Sequence, residues 1–248
     1  MISQNDIANI ERATLDAVAP QEVLAHGDWL LPFDPSTIGR ARSAVPLCHA
    51  GLDPAALTEI LKHYADRGLA PAFRVADVTS MAAIQTTLRQ LGLQPEQPTL
   101  VQIASTQHMR SVCTALPASV QDKPHAPWAS VYVGAGFDPV DGAHRVQALS
   151  RSLTMVYACV VEGNDALASG TASFSQGWTS VHGMRTAIAH RGQGFAKRIL
   201  GGLAEAALAR GLERVFLQVE EENTAAQALY HHAGFQTAWR YHYWRPAP

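Results

Sequence analysis

The 248 residues are 47% apolar and 16% charged, with a formal net charge of -2 and a pI near 6.6, a globular composition long enough for one large domain or two ordinary ones. No basic field of the kind nucleic acid requires is present, and no apolar run reaches the length of a membrane span, so both partners are excluded. Cys48, Cys113 and Cys159 are an odd, widely spaced set without a C-x-x-C, which argues against a disulfide framework and against a metal site, and the charged first helix is no signal peptide, so a cytoplasmic protein is expected.

Asp6 to Val18 places Ile7, Ile10, Ala13 and Ala17 on one face of an amphipathic helix that stops at Pro20. Trp29 to Phe33 reads as a strand, Asp34-Pro35-Ser36 as a turn, and Arg40 to Leu47 as the second strand of a hairpin. Asp53-Pro54 opens a helix with a Leu57, Ile60, Leu61 and Tyr64 stripe that ends at Gly68. A strand at Ala72 to Val75, a helix from Ser80 to Leu91 and a strand from Thr99 to Ala104 follow. Ser105 to Pro127 has little periodicity and three prolines, which predicts a linker. Trp128 to Val133 reads as a strand, Asp141 to Leu153 as a helix, and Met155 to Glu162 with Asp165 to Phe174 as a hairpin across Gly163-Asn164.

A strand from Trp178 then runs into His190-Arg191-Gly192-Gln193-Gly194, and Phe195, Ile199 and Leu203 fall at helical spacing as far as Arg210-Gly211. Strand, glycine turn and helix aim free backbone N–H groups and the positive end of a helix dipole at one point, as pyrophosphate sites do. Lys197 stands where a dinucleotide fingerprint needs its third glycine, and Ala196 where a Walker loop needs glycine, so a nucleotide-binding oxidoreductase is disfavoured. Next come an apolar strand, Val215 to Val219, and a helix from Ala225 to His232 capped by Asn223 and ended by Gly234-Phe235.

Arg191, Gly194 and Ala196 fill the pattern R-x-x-G-x-A, and Asn223, Ala226, Leu229, Tyr230, Gly234 and Phe235 fill N-x-x-A-x-x-L-Y-x-x-x-G-F. Together these resemble the acyl-CoA loop and the following helix of the GNAT superfamily of N-acyltransferases, over roughly the last half of the chain. The resemblance implies acetyl-CoA as cosubstrate. Its pyrophosphate would lie on the backbone of Arg191, Gly192, Gln193, Gly194, Phe195 and Ala196, and its pantetheine along Met184, Thr186 and Ile188, with Asn223 helping to hold the arm.

Tyr230 stands where the family protonates the leaving thiolate; as a residue it also reads as a packing tyrosine. The family's common base, a glutamate on the strand before the loop, has no counterpart here. His182 on that strand can serve as base or as core, and Glu220 heads a solvated run of acids.

The chain also repeats itself. Arg67-Gly68-Leu69 before Phe73 matches Arg210-Gly211-Leu212 before Leu217, and Leu91-Gly92-Leu93 matches Ala233-Gly234-Phe235, at offsets of 143 and 142 residues. At the same offset Cys48 and His49 replace Arg191 and Gly192, and Leu88 replaces Tyr230. The expectation is therefore an α/β (α+β) protein of tandem GNAT-like mixed sheets flanked by helices: a degenerate half at 1–105, a linker at 106–127 and an N-acetyltransferase half at 128–248. The expected partner is a small-molecule or peptide amine, with a homodimer compatible. A non-catalytic acyl-CoA-binding regulatory module is the alternative. Arg40 and Arg42 lie on an edge strand that either is solvated or reaches the acceptor cleft.

Overall fold

The computed structural model describes residues 2–247. Helix α1 (Gln4–Val18) is fixed at its start by a capping box between Ser3 and Asp6. Strands β1 (Glu22–His26), β2 (Trp29–Phe33) and β3 (Val45–Pro46) form one small antiparallel sheet. Then come α2 (Ala56–Ala65), β4 (Phe73–Ala76), α3 (Ala82–Gln90), β5 (Leu93–Ser105), α4 (Thr106–Ser111) and β6 (Ser119–Gln121). The rest of the chain is α5 (Ala126–Ser130), α6 (Pro139–Arg151), β7 (Met155–Glu162), β8 (Asp165–Ser175), β9 (Trp178–Thr186), α7 (Phe195–Leu208), β10 (Arg214–Glu220), α8 (Thr224–His232) and β11 (Gln236–Pro246).

The second sheet has eight strands in the order β4-β11-β5-β10-β9-β8-β7-β6. The repeat read from sequence is realised in it. Helix α2, β4, α3 and β5 recur as α7, β10, α8 and β11, and each copy's last strand pairs with the other copy's earlier strand: β5 with β10, and β11 with β4. The two last strands also pair with each other, from Gln236↔Ile103 to Pro246↔Leu93. A parallel bridge, Ala44↔Phe73, joins the small sheet to β4.

This exchange mixes the cores. Trp239, Tyr241, Tyr243 and Trp244 of β11 pack in one apolar cluster with Trp29, Tyr64, Phe73 and Leu88 of the first copy. A second cluster gathers Phe195, Ile199 and Leu203 of α7 against β7 to β10 and α8. Beneath the shared sheet the Arg74 guanidinium lies 2.8 Å from the buried Glu11 carboxylate of α1, a pair whose breakage would leave one charge uncompensated.

Several sequence expectations are corrected. Arg40 to Leu47 is not one strand: Gly39–Ala41 is a 3-10 turn and only Val45–Pro46 pairs, while β1, not foreseen, completes the hairpin with β2. Trp128 to Val133 is not a strand, because the His125 side chain caps α5 and the Trp128 and Tyr132 rings pack against each other, tilted, at 5.0 Å. The segment 106–127 contains α4 and β6, the latter paired with β7. Among the described residues no helix is long and apolar enough to cross a membrane.

Candidate active site

Strands β9 and β10 run side by side only as far as Val181↔Leu217. Beyond that point β9 stays with β8 to Thr186 and β10 with β5 to Glu220, so the strands part and their facing edges lose the ladder. A cavity of about 340 Å³ opens in the gap.

A bulge accompanies the parting. The register of β9 on β8 shifts between Ser169 and Thr171, and Gly183 takes up the extra residue with φ of 61°. A Cβ at Gly183 would lie 2.5 Å from the Tyr132 hydroxyl, which donates to the Gly183 carbonyl at 2.6 Å. Only glycine fits this approach.

His182 and Met184 of β9, Tyr230 and the Asn223 cap of α8, Glu220 of β10 and Arg40 of the first copy all line the cavity. Its wall does not include Thr186, Ile188, Arg42 or the glycine turn. Ile188 sits in a 3-10 turn and is exposed, and Arg42 donates to the Ser36 carbonyl instead. His231 and His232 face solvent.

His182 is 3% exposed, and neither ring nitrogen has a hydrogen-bond partner among the described residues. Burial first, and the Arg40 guanidinium second, hold its pKa well below the ordinary imidazole value. The ring is therefore neutral. Burial pushes the Tyr230 phenol up to about 12, with Arg40 opposing, so it is a fully protonated but weaker donor than a free tyrosine. Glu220 accepts from the Gln97 amide at 2.8 Å. The Asn223 side-chain oxygen accepts the Ala226 N–H at 3.1 Å, which leaves its amide nitrogen to face a ligand.

The glycine turn forms a separate feature at the start of α7. Gly192 and Gly194 have φ of 77° and 85°, and a Cβ at either would meet nothing within 4 Å. Gly194 is the N-cap, no side chain caps α7, and the first N–H groups of the helix have no carbonyl to receive them. Arg191 reaches over the Phe137 ring, 5.9 Å from its centroid. Open space, bare donors and a nearby cation fit a phosphate group.

Sequence reading missed Tyr241, Tyr243 and Arg245, which β11 brings into the same wall. The alternation of buried Trp239, Tyr241 and Tyr243 with more exposed Arg240 and His242 was the available signal.

A family described as "Probable histone acetyltransferase Rv0428c C-terminal" matches residues 4–244. The chain belongs to this family. Its fold is that of the GNAT acetyltransferases. A GCN5-related N-acetyltransferase from Kribbella flavida superposes with a TM-score of 0.72 at 15% identity, covering 98% of this chain and 96% of that one. A tandem GNAT protein from the clavulanic acid biosynthesis pathway gives 0.63 at 13% identity, covering 100% and 98%. The "Uncharacterized N-acetyltransferase YobR" of Bacillus subtilis (strain 168) is 40% identical over 76 residues; the match covers 31% of this chain and 31% of that relative's length.

Proposed function

We propose that the protein is an acetyl-CoA-dependent N-acetyltransferase of the cytoplasm, acting on a primary amine of a small molecule or peptide. The observation that carries this reading is one cavity, opened where β9 leaves β10, whose wall holds the neutral unpaired His182 and the protonated Tyr230 together. Three free cysteines suit a reducing compartment.

The residues present fit acetyl-CoA. Backbone N–H groups from Gly192 to Ala196 would hold its pyrophosphate, and the unpaired β9 edge at Met184 to Thr186 would take its pantetheine amides as an added strand. Bound there, acetyl-CoA supplies the activated thioester. His182 accepts a proton from the incoming ammonium, directly or through water. Tyr230 donates its hydroxyl proton to the departing sulfur, and the Arg40 charge helps by favouring the phenolate left behind. His182 and Tyr230 are themselves buried, which limits the access of bulk water to both transfers.

One observation favours a second reading, a non-catalytic acyl-CoA-binding regulatory module: β9 carries no carboxylate, and His182 is held well below its usual basicity. Calorimetric titration with acetyl-CoA, followed by a thiol-release screen over amines, separates the two. Binding with turnover supports the enzyme, binding without turnover on any amine supports the module, and no binding defeats both.

A further inference from the structure

Resting on that reading of the cavity as the acceptor site, we propose that the acceptor is a small amine that also carries an oxyanion, carboxylate or phosphate, and that Arg40 receives the oxyanion.

The charge of the wall runs against the charge of the chain. The whole protein has a formal net charge of -2. Its cavity is lined by Arg40, Arg145, Arg185 and Arg245, with Glu220 the one carboxylate on the wall. Outside the wall, Asp141 is shared between Arg145 and Arg185, at 2.7 and 2.9 Å, and Glu96 pairs with Arg245. Arg40 has no ion pair and no hydrogen bond among the described residues. Its guanidinium nonetheless bears on the buried Glu11, His182, Tyr230 and Tyr241. A half-buried guanidinium without a partner, facing a ligand-sized cavity, is a site that an oxyanion fills bidentately.

This positive charge is not the phosphate site of the cosubstrate. Arg191 and the glycine turn lie outside the cavity wall. Arg245 is on β11, three strands from β9 in the order β11-β5-β10-β9, roughly 14 Å across the sheet at ordinary strand spacing. Arg40 comes from the first copy altogether. Arg40 and Arg245 therefore stand away from the β9 edge that would take the cosubstrate's arm, while Arg185, on that edge strand, is held by Asp141.

The Tyr241 hydroxyl donates to the Gln218 side chain at 2.9 Å, and both residues line the cavity floor with Tyr243. A polar floor of this kind orients a small ligand. A volume of about 340 Å³ is at the low end for ligand sites, and the unpaired Arg40, with two arginines sharing the single carboxylate of Asp141, leaves an excess of positive charge that disfavours a lysine-rich tail. The family description names a histone acetyltransferase; the wall of this chain selects against such a substrate. An oxyanion at Arg40 would offset the charge that opposes protonation of His182, and by the same neutralisation would reduce the help that Arg40 gives to the Tyr230 phenolate.

The test uses the full chain and two binding readouts, calorimetry and thermal shift, with and without CoA filling the glycine turn. The probes are β-alanine against its amide, phosphoethanolamine against ethanolamine, inorganic phosphate, and a lysine-rich peptide. β-Alanine or phosphoethanolamine should bind at least tenfold more tightly than its uncharged counterpart, and the better of the two identifies the oxyanion. Arg40→Gln should remove that preference and the phosphate response, while Arg40→Lys restores part of both. The proposal is overturned by equal binding within each pair, by no binding of either oxyanion-bearing amine, by tighter binding of the peptide, or by an unchanged preference in folded Arg40→Gln. Acetyl-CoA is titrated against the same proteins. Its failure to bind would defeat the acetyltransferase reading and leave the oxyanion site to be judged on the phosphate and β-alanine titrations.

Discussion

Replacing Tyr230 by Phe removes one oxygen from a ring that packs edge-on against Phe235 at 5.8 Å and leaves the ring itself in place. Tyr230 is 7% exposed and burial raises its pKa to about 12, so the phenol is protonated at pH 7. General acids of this kind contribute about 100- to 10,000-fold. A donor weakened by burial belongs near the lower end, so turnover should fall about 100-fold, equivalent to about 2.7 kcal/mol. The resting cosubstrate gains little from the hydroxyl, and acetyl-CoA affinity should change less than threefold by the same reasoning. Thiol release measured in a single turnover, beside calorimetry, reads both numbers. The pH profile adds a sign: because the pKa is raised, the donor form persists, and no alkaline loss of rate from Tyr230 should occur between pH 8 and 10. Turnover within twofold of the parent when chemistry limits the rate would make Tyr230 a packing residue and refute the reasoning.

Gly192→Val and Gly194→Val place side chains in the open space before the bare end of α7 and force L-residues to φ near 77° and 85°; each should abolish acetyl-CoA binding by calorimetry at a modest cost in melting temperature. His49 packs edge-on to Trp239 at 5.1 Å, and burial pushes its imidazole down to about 4. Its folded pKa lies below the unfolded value of about 6.5, so the unfolded chain binds more protons between the two. Stability should be complete above pH 6.5 and fall by up to about 3 kcal/mol toward pH 4; urea unfolding of His49→Gln should show a shallower acid slope, and an identical slope would sink the assignment. A fragment of residues 125–248 lacks β5, which stands between β10 and β11, and should show no cooperative melting and no acetyl-CoA binding; a folded, active fragment would mean the exchanged strand is dispensable.

Local chemistry made much of the second copy legible. Gly163-Asn164 fixed the β7–β8 hairpin, which closes at Glu162↔Asp165, and Asn223 with Gly234 bounded α8. The glycine turn, His182 and Tyr230 could be placed because each lies next to such a signal. Long-range pairing could not be read. Strand β5 begins six residues earlier than expected, since Pro95 and Pro98 suggest a loop. Residues 93–98 pair only with β11, however, and β10 joins at Thr99, so the prolines meet an edge that asks for no donor. The turn at Asp34-Pro35-Ser36 predicts that Arg40 opens the returning strand of a hairpin. The turn at Gly39, where a Cβ would lie 2.9 Å from the Tyr243 ring, depends on a strand some 200 residues away in sequence.

The strand exchange ties the first copy to the cavity even though it lacks the glycine turn of the second. In the first copy Leu88 stands at the position of Tyr230 and is fully buried, a packing side chain where the second copy has a phenol. Yet β5 lies between the two strands of the second copy that would otherwise splay apart, and β11 in turn completes the first copy against β4. Neither copy can lose its last strand without opening the other's core. The same geometry divides the cavity: β9 and α8 supply the wall bearing His182 and Tyr230, while Arg40, Gln97 and Thr99 come from the first copy. If the cavity receives the amine as proposed, substitutions at Arg40 or Gln97 should alter which amine is received while the glycine turn stays as it is, because the two walls are built by different parts of the chain.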